Sequence, residues 1–272
     1  MLLQSLVAVI LVFQACLAGP LSLKPRITEG TDAMPGEFPY QVSIELGFPP
    51  FIPYRHSCGG SILDDNTILT AAHCVPKLFG SLRVVAGKYY LMKNEKTNQV
   101  SEVNRFKVHN EFKGNVAQHD IAILKLAIPL VFNDKVSAVK LPSKNEIEIG
   151  NAILSGWGSI SKNFLPIFPT VLQKATLSIL DNDSCLKKFP KDIIGKQPEL
   201  YSTQMCTDSL NGESACSGDS GGPLVQRNDK EKEVTQIGIV SWGVYPCGVS
   251  HLPSVYTRIS SYINWIDENR EF

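Results

Sequence analysis

Several short stretches of this chain alternate apolar and polar positions. Phe38-Pro39-Tyr40-Gln41-Val42-Ser43-Ile44-Glu45-Leu46 keeps the two-residue period of a strand with one buried face, and Val234 to Val240 alternates similarly. Thr67 to Ala71, Val84 to Gly87, Arg105 to His109, Ile121 to Leu126 and Ala152 to Gly158 read as further strands. Between them, residues 47–54 (Gly-Phe-Pro-Pro-Phe-Ile-Pro-Tyr) hold too much proline for a central strand and are read as a long loop. Its aromatic side chains either pack on one another or meet a ligand. Self-packing is the reading taken. Residues 129–143 lack a helical period and look like a crossover between two halves. Ile259, Tyr262, Ile263 and Ile266 recur at helical spacing and predict a terminal amphipathic helix. The pattern is that of an all-β chain closed by one helix.

One apolar run stands apart. Residues 2–18 contain no charged side chain and end in small residues, so residues 1–18 are read as a signal peptide cut after Ala18. A membrane anchor is the alternative, but the run is short and carries Gln4 and Gln14. No other stretch is long enough to cross a bilayer, so a secreted, extracellular protein without membrane attachment is expected. The 272 residues, 43% hydrophobic and 19% charged, suit an ordinary globular chain. Its 26 basic and 26 acidic residues cancel without a run of like charge, which argues against a nucleic-acid partner or a polybasic membrane patch.

Cysteine usage agrees with export. Of seven cysteines, Cys16 leaves with the signal, and Cys58, Cys74, Cys185, Cys206, Cys216 and Cys247 remain. Six cysteines allow fifteen pairings, so spacing alone leaves the connectivity open. A zinc site is the competing use, but no Cys-x-x-Cys pair is present and His73 beside Cys74 matches no zinc spacing.

The chemistry concentrates at Gly218-Asp219-Ser220-Gly221-Gly222-Pro223, where glycines let the backbone turn sharply around a hydroxyl. A nucleophilic serine needs an imidazole to take its proton and a carboxylate to fix the imidazole tautomer. Upstream stand Leu69-Thr70-Ala71-Ala72-His73-Cys74 and His119-Asp120-Ile121-Ala122-Ile123-Leu124. A lone Gly-Asp-Ser-Gly is a weak signal, since turns favour those residues anyway. Three signatures in the order His, Asp, Ser are strong. Together they resemble the chymotrypsin-like serine protease family over nearly all of the chain after residue 26.

That resemblance implies two antiparallel six-stranded β-barrels, about 27–135 and about 136–256, with a C-terminal helix at about 257–270. It implies the disulfides Cys58–Cys74, Cys185–Cys206 and Cys216–Cys247, each typically worth ~2–4 kcal/mol. Residues 19–26 become an activation propeptide, cut after Arg26 by a trypsin-like protease. The new Ile27 amine then pairs with Asp219, a carboxylate that could not be buried ionised alone. No cysteine lies between Gly19 and Arg26, so the released peptide is not tethered. Thr28-Glu29 departs from the usual valine and glycine after the isoleucine. His56 and Ser43 match positions that hold the aspartate before activation in some relatives, an ordinary surface or core histidine being the alternative. His109 and His119 have no assigned partner and are read as structural or surface residues.

For the site, the resemblance implies His73, Asp120 and Ser220 as the catalytic residues, with the Gly218 and Ser220 amides as the oxyanion hole. Substrate would lie along Ser241-Trp242-Gly243 as an added strand. The pocket would have Ser214 at its base and Gly243 and Ser254 in its walls. A neutral base disfavours a desolvated lysine or arginine, and an open wall admits bulk. The expected activity is a secreted endopeptidase, made as a zymogen, cleaving after Phe, Tyr, Leu or Met. No cofactor or metal is expected: the loop after Gly87, which binds calcium in some relatives, opens with Lys88 and contains Lys93, Glu95 and Lys96. Expected partners are protein or peptide substrates, the activating protease and protein inhibitors, with the chain a monomer. Asp181-Asn182-Asp183-Ser184 offers both a glycosylation sequon and a helix N-cap, and capping is the reading taken. No further module precedes Ile27, which favours a digestive or other broad proteolytic task. Two other classes compete. An inactive homologue would usually lack a triad member, and an α/β esterase needs Gly-x-Ser-x-Gly with the order Ser, Asp, His.

Overall fold

The computed structural model describes residues 30–76, 80–114, 118–190, 198–209, 212–228, 233–248 and 251–272. The signal segment, the propeptide, Arg26 and Ile27 lie outside the described residues. The strands are β1 (Thr31–Asp32), β2 (Gln41–Phe48), β3 (Ile52–Asp64), β4 (Thr67–Thr70), β5 (Ser81–Ala86), β6 (Gln99–Val108), β7 (Ala122–Leu126), β8 (Asn151–Gly156), β9 (Gln173–Leu180), β10 (Gln204–Thr207), β11 (Pro223–Asn228), β12 (Glu233–Trp242) and β13 (Ser254–Arg258). Two helices complete the set, α1 (Asn182–Lys188) and α2 (Ile263–Asn269).

The first six-stranded barrel closes in the order β2-β3-β4-β7-β6-β5, every pair antiparallel. The second runs β9-β10-β13-β12-β11-β8, and pairing of β8 with β9 closes it. Strand β1 crosses over to pair with β9, tying the start of the described chain to the second barrel. Closure removes the free edges that would otherwise template aggregation. The first core is built from Val42, Ile44, Ile62, Ile68, Ile123 and Leu124, all fully buried, and the second from Leu154, Leu177, Met205, Leu224 and Tyr256.

The structure departs from the alternation pattern in two places. The proline-rich stretch is a hairpin tip and not a long loop: β3 begins at Ile52 and pairs with Phe48. Pro53 is tolerated because the register shifts between Leu46 and Phe48, so its missing N–H falls at a bulge. Phe48 and Phe51 stack at 5.8 Å, while Phe51 stays 79% exposed. At the other end, β13 continues through Arg258 and a single turn, Ile259–Ser261, intervenes before α2. The helix therefore starts several residues later than its apolar spacing suggests. Helix α1 is capped as expected, the Asp181 carboxylate accepting the Ser184 N–H at 2.8 Å. Asn182 is engaged too, its Nδ2 donating to the Tyr201 carbonyl at 3.0 Å.

All three disulfides form between the expected partners. Among the described residues no helix is long and apolar enough to cross a membrane.

Candidate active site

Two strands of the first barrel deliver the imidazole and the carboxylate to one edge. Strand β4 ends at Thr70, and the chain enters the short turn Ala72–Cys74 that carries His73. The Cys58–Cys74 disulfide clamps this turn, and Thr70 Oγ1 donates to the Gly59 carbonyl at 2.9 Å. Asp120 stands just before β7, which pairs with β4 through Thr70 and Ala122. The pairing puts Asp120 under the His73 turn. Its Oδ1 accepts the His73 backbone N–H at 3.0 Å and its Oδ2 lies 2.8 Å from His73 Nδ1. Ser241 Oγ donates to the same Oδ2 at 2.6 Å, and Thr257 Oγ1 donates to the Asp120 carbonyl at 2.8 Å. Asp120 is 1% exposed and the His73 side chain 29%. A carboxylate oxygen set against Nδ1 fixes the tautomer with the proton on Nδ1, leaving Nε2 as a base.

The serine comes from the second barrel. Gly218 at φ 100° and Gly221 at φ 75° supply the left-handed backbone that shapes the loop around Ser220. The Ser220 carbonyl accepts Gly59 N–H at 2.8 Å, and Gly221 N–H bonds Val240 at 2.8 Å. A Cβ on Gly221 would come within 2.2 Å of Thr70 Oγ1 and 3.0 Å of Cys74 Sγ. Glycine there lets the serine loop sit directly against the His73 turn. Ser220 Oγ makes no hydrogen bond to His73 among the described residues, and such bonds commonly tighten only around substrate.

Asp219 points the other way and is fully buried. Its Oδ1 accepts Gly158 N–H at 2.8 Å and its Oδ2 accepts Cys216 N–H at 2.9 Å. Gly156 and Gly158 form the cradle: a Cβ on either would lie 2.1 Å from a carboxylate oxygen. Burial pushes the Asp219 carboxyl up to about 6, against the pull of the two amides. No cation pairs with it among the described residues. His56 and Ser43 do join each other, Ser43 Oγ lying 2.8 Å from His56 Nδ1. They engage the Gly218 carbonyl, 2.9 Å from His56 Nε2, and not Asp219. Burial pushes His56 down to about 4, so the ring is neutral, donates from Nε2 to Gly218 and accepts from Ser43. The His56 ring also meets Trp157 edge-on at 5.7 Å.

A cavity of about 170 Å³ opens beside Ser220, with Ser241, Trp242 and Gly243 on one side and Ala215 and Cys216 on the other. Beneath it a void of about 10 Å³ is bounded by Ser214 and Ser254, and Ala215 and Gly243 line both spaces. Ser254 Oγ accepts the Ala215 N–H at 3.1 Å, whereas Ser214 Oγ is buried with no partner among the described residues. A Cβ on Gly243 would sit 3.9 Å from Ser254 Oγ. Among the described residues, the lining of this void offers the Ser214 and Ser254 hydroxyls and no charged side chain.

The sequence pattern left the parts played by Gly156, Gly158 and Thr257 unread. Gly156 and Gly158 end a strand in a Gly-Trp-Gly signature of the resembled family, but nothing in the signature says what they cradle. Thr257 gave no local sign, because its role depends on β13 lying beside Asp120. Lys88 is buried, its ammonium 3.1 Å from Glu45 Oε1 while Arg83 holds Oε2. The loop thus opens on a resident cation. Near His73 the sulfurs are spent in the Cys58–Cys74 bridge and offer no thiolate to a metal.

Comparison with known proteins adds an independent line. The family model described as Trypsin matches residues 27–266. The chain is 36% identical over 251 residues to trypsin-1 of Astacus astacus, covering 89% of this chain and 99% of the relative. It is 39% identical over 246 residues to chymotrypsin-2 of Vespa crabro, covering 90% and 100%. To hypodermin-B of Hypoderma lineatum it is 34% identical over 262 residues, covering 95% and 93%.

Proposed function

Since this chain belongs to the trypsin family of serine endopeptidases, we propose that it is a secreted zymogen whose mature form cuts peptide bonds after large or medium apolar residues. The relatives include both trypsins and a chymotrypsin, so kinship leaves the side-chain preference open. What supports the apolar choice is the uncharged floor formed by Ser214 and Ser254, where a desolvated lysine or arginine would find no carboxylate.

In the proposed mechanism Ser220 attacks the substrate carbonyl, His73 takes the serine proton and later passes it to the leaving amine, and Asp120 holds and stabilises the imidazolium. The Gly218 and Ser220 amides receive the oxyanion, each such donor being typically worth ~3–4 kcal/mol. Water then attacks the acyl-enzyme by the same proton transfers in reverse. The substrate backbone pairs with Ser241, Trp242 and Gly243. The observation that carries this reading is the two-point hold of Asp120 on His73, at 3.0 and 2.8 Å. Maturation removes residues 1–18 and then 19–26, with an activating protease cutting after Arg26 so that the Ile27 amine reaches Asp219. The partners are protein substrates, that activator and protein inhibitors, and the chain acts as a monomer.

The test is a purified chain cleaved after Arg26, treated with a serine-directed sulfonyl fluoride and profiled on a peptide library. Covalent modification of Ser220 and cleavage after Phe, Tyr, Leu or Met are expected. Preference for Arg or Lys overturns the pocket reading, and an unlabelled Ser220 overturns the catalytic assignment.

A further inference from the structure

Behind the turn that ends in Asp120, three side chains with metal-ligating atoms stand together. One ligand atom from each of His109, Glu111 and His119 lies within 4.8 Å of the other two. His119 Nε2 is 3.1 Å from Glu111 Oε2. The two imidazoles stack nearly parallel, centroids 4.5 Å apart, with Tyr262 set edge-on to both. The proteolytic mechanism uses none of the three.

His119 has an oxygen within reach of each ring nitrogen. Its Nδ1 lies 3.0 Å from the Tyr262 hydroxyl. In the tautomer that donates the Nδ1 proton to that oxygen, Nε2 turns a lone pair towards the Glu111 carboxylate, and a divalent ion between them would be held by both. Two acceptors that close repel unless a proton or a metal ion lies between them. A metal-bound imidazole ordinarily donates its other N–H to an oxygen, and Tyr262 stands in that position. Two imidazoles and one carboxylate suit zinc and its neighbours, whereas calcium and magnesium want oxygen. Three protein ligands leave a fourth place for water. Bonds of about 2.0–2.2 Å draw such ligand atoms to roughly 3.3 Å apart. The Glu111 side chain, 63% exposed, can swing to close the gap and leaves the ion a path from solvent.

The backbone gives the cluster a consequence. His119 sits at φ 62°, a conformation costly for a residue with a Cβ, one position before Asp120. Its carbonyl accepts the Ile121 N–H at 2.8 Å, so the strained turn spans the carboxylate itself. We propose that His109, Glu111 and His119 bind one divalent transition ion of the zinc type, which anchors this turn from behind without entering the cleft.

The test is calorimetric titration of Zn²⁺ into the chelator-treated full chain and into His109→Gln, Glu111→Gln and His119→Asn. Asparagine is chosen at 119 because it tolerates the left-handed backbone. One ion per chain is expected for the parent, with affinity weakened by about 100-fold or more in each variant, beyond what loss of an outer partner causes. The melting temperature should rise with added Zn²⁺ for the parent and stay flat for the variants. Glu111→Gln alters an exposed side chain and keeps the test valid if a histidine variant folds poorly. A His73→Ala control should bind as the parent does. Unchanged affinity in Glu111→Gln, or loss of binding in His73→Ala, overturns the proposal.

Discussion

The Ser241 hydroxyl donates to the same Asp120 oxygen that holds the His73 ring, at 2.6 Å. One residue is therefore assigned twice, by its backbone to the bound substrate and by its side chain to the carboxylate. Ser241→Ala would leave a buried carboxylate short of a charge-assisted bond, a loss of about 1.5–3 kcal/mol. Under the proposed mechanism kcat/KM falls by about tenfold or more with KM nearly constant. Asp120→Asn should fold and lose about 10⁴ in kcat, because the wrong tautomer is then held. Steady-state kinetics on both variants checks this, and an unimpaired Asp120→Asn would sink the triad assignment.

The pocket floor makes a second claim. Ser214 Oγ is buried with no partner among the described residues, so Ser214→Asp would place a carboxylate where a cationic ligand could neutralise it. The free variant should be less stable by about 1–3 kcal/mol. It should also bind benzamidine at least about tenfold more tightly than the parent, a gain of about 1.4 kcal/mol. Inhibition constants measured side by side decide the matter. No gain in affinity would mean that Ser214 does not face the bound side chain.

Asp219 carries the proposed activation step. With the carboxyl raised from 3.8 to about 6 by burial, the folded chain holds this proton more tightly than the unfolded one. Its support for the fold is then full below about pH 4 and is lost as pH rises through about 6. An amine brought alongside reverses the direction, stabilising the ionised form. Carboxyl NMR on the uncleaved chain should find Asp219 titrating near 6. After cleavage at Arg26 it should fall below the ordinary carboxylate range. An identical titration before and after the cut would remove Ile27 as the partner.

Strand alternation made much of the first barrel legible, and the serine loop, the His73 turn and Asp120 were all marked by short local motifs. Features made by distant segments were not. The Glu45–Lys88 pair joins residues far apart in the chain, and nothing near Glu45 signals that its strand is buried on both faces. Pro53 misled because proline excludes a regular ladder but not a bulge. Nothing in the sequence links His109 to His119, and the pairing of β6 with β7 is what brings their rings together. The Gly156 and Gly158 cradle likewise has meaning only once Asp219 turns into it.

His56 offers a pH test that the catalytic histidine does not obscure, provided stability and not activity is measured. Burial holds the ring down to about 4 from an ordinary 6.5, and accepting the Ser43 hydroxyl at Nδ1 requires the neutral form, whereas the bond from Nε2 to the Gly218 carbonyl is open to either form. Between those two pH values the unfolded chain takes up a proton that the folded chain refuses. The contribution of His56 is therefore full above about pH 6.5 and is lost as pH falls towards 4. His56→Asn can replace one of the two bonds but does not titrate, so it should cost about 1–2 kcal/mol at pH 7.5. That deficit should shrink steadily as pH falls, because only the parent is penalised. Thermal melts of both proteins from pH 7.5 to 4 measure the gap. A gap that stays constant across the range would mean that His56 does not anchor the Gly218 peptide in its neutral form.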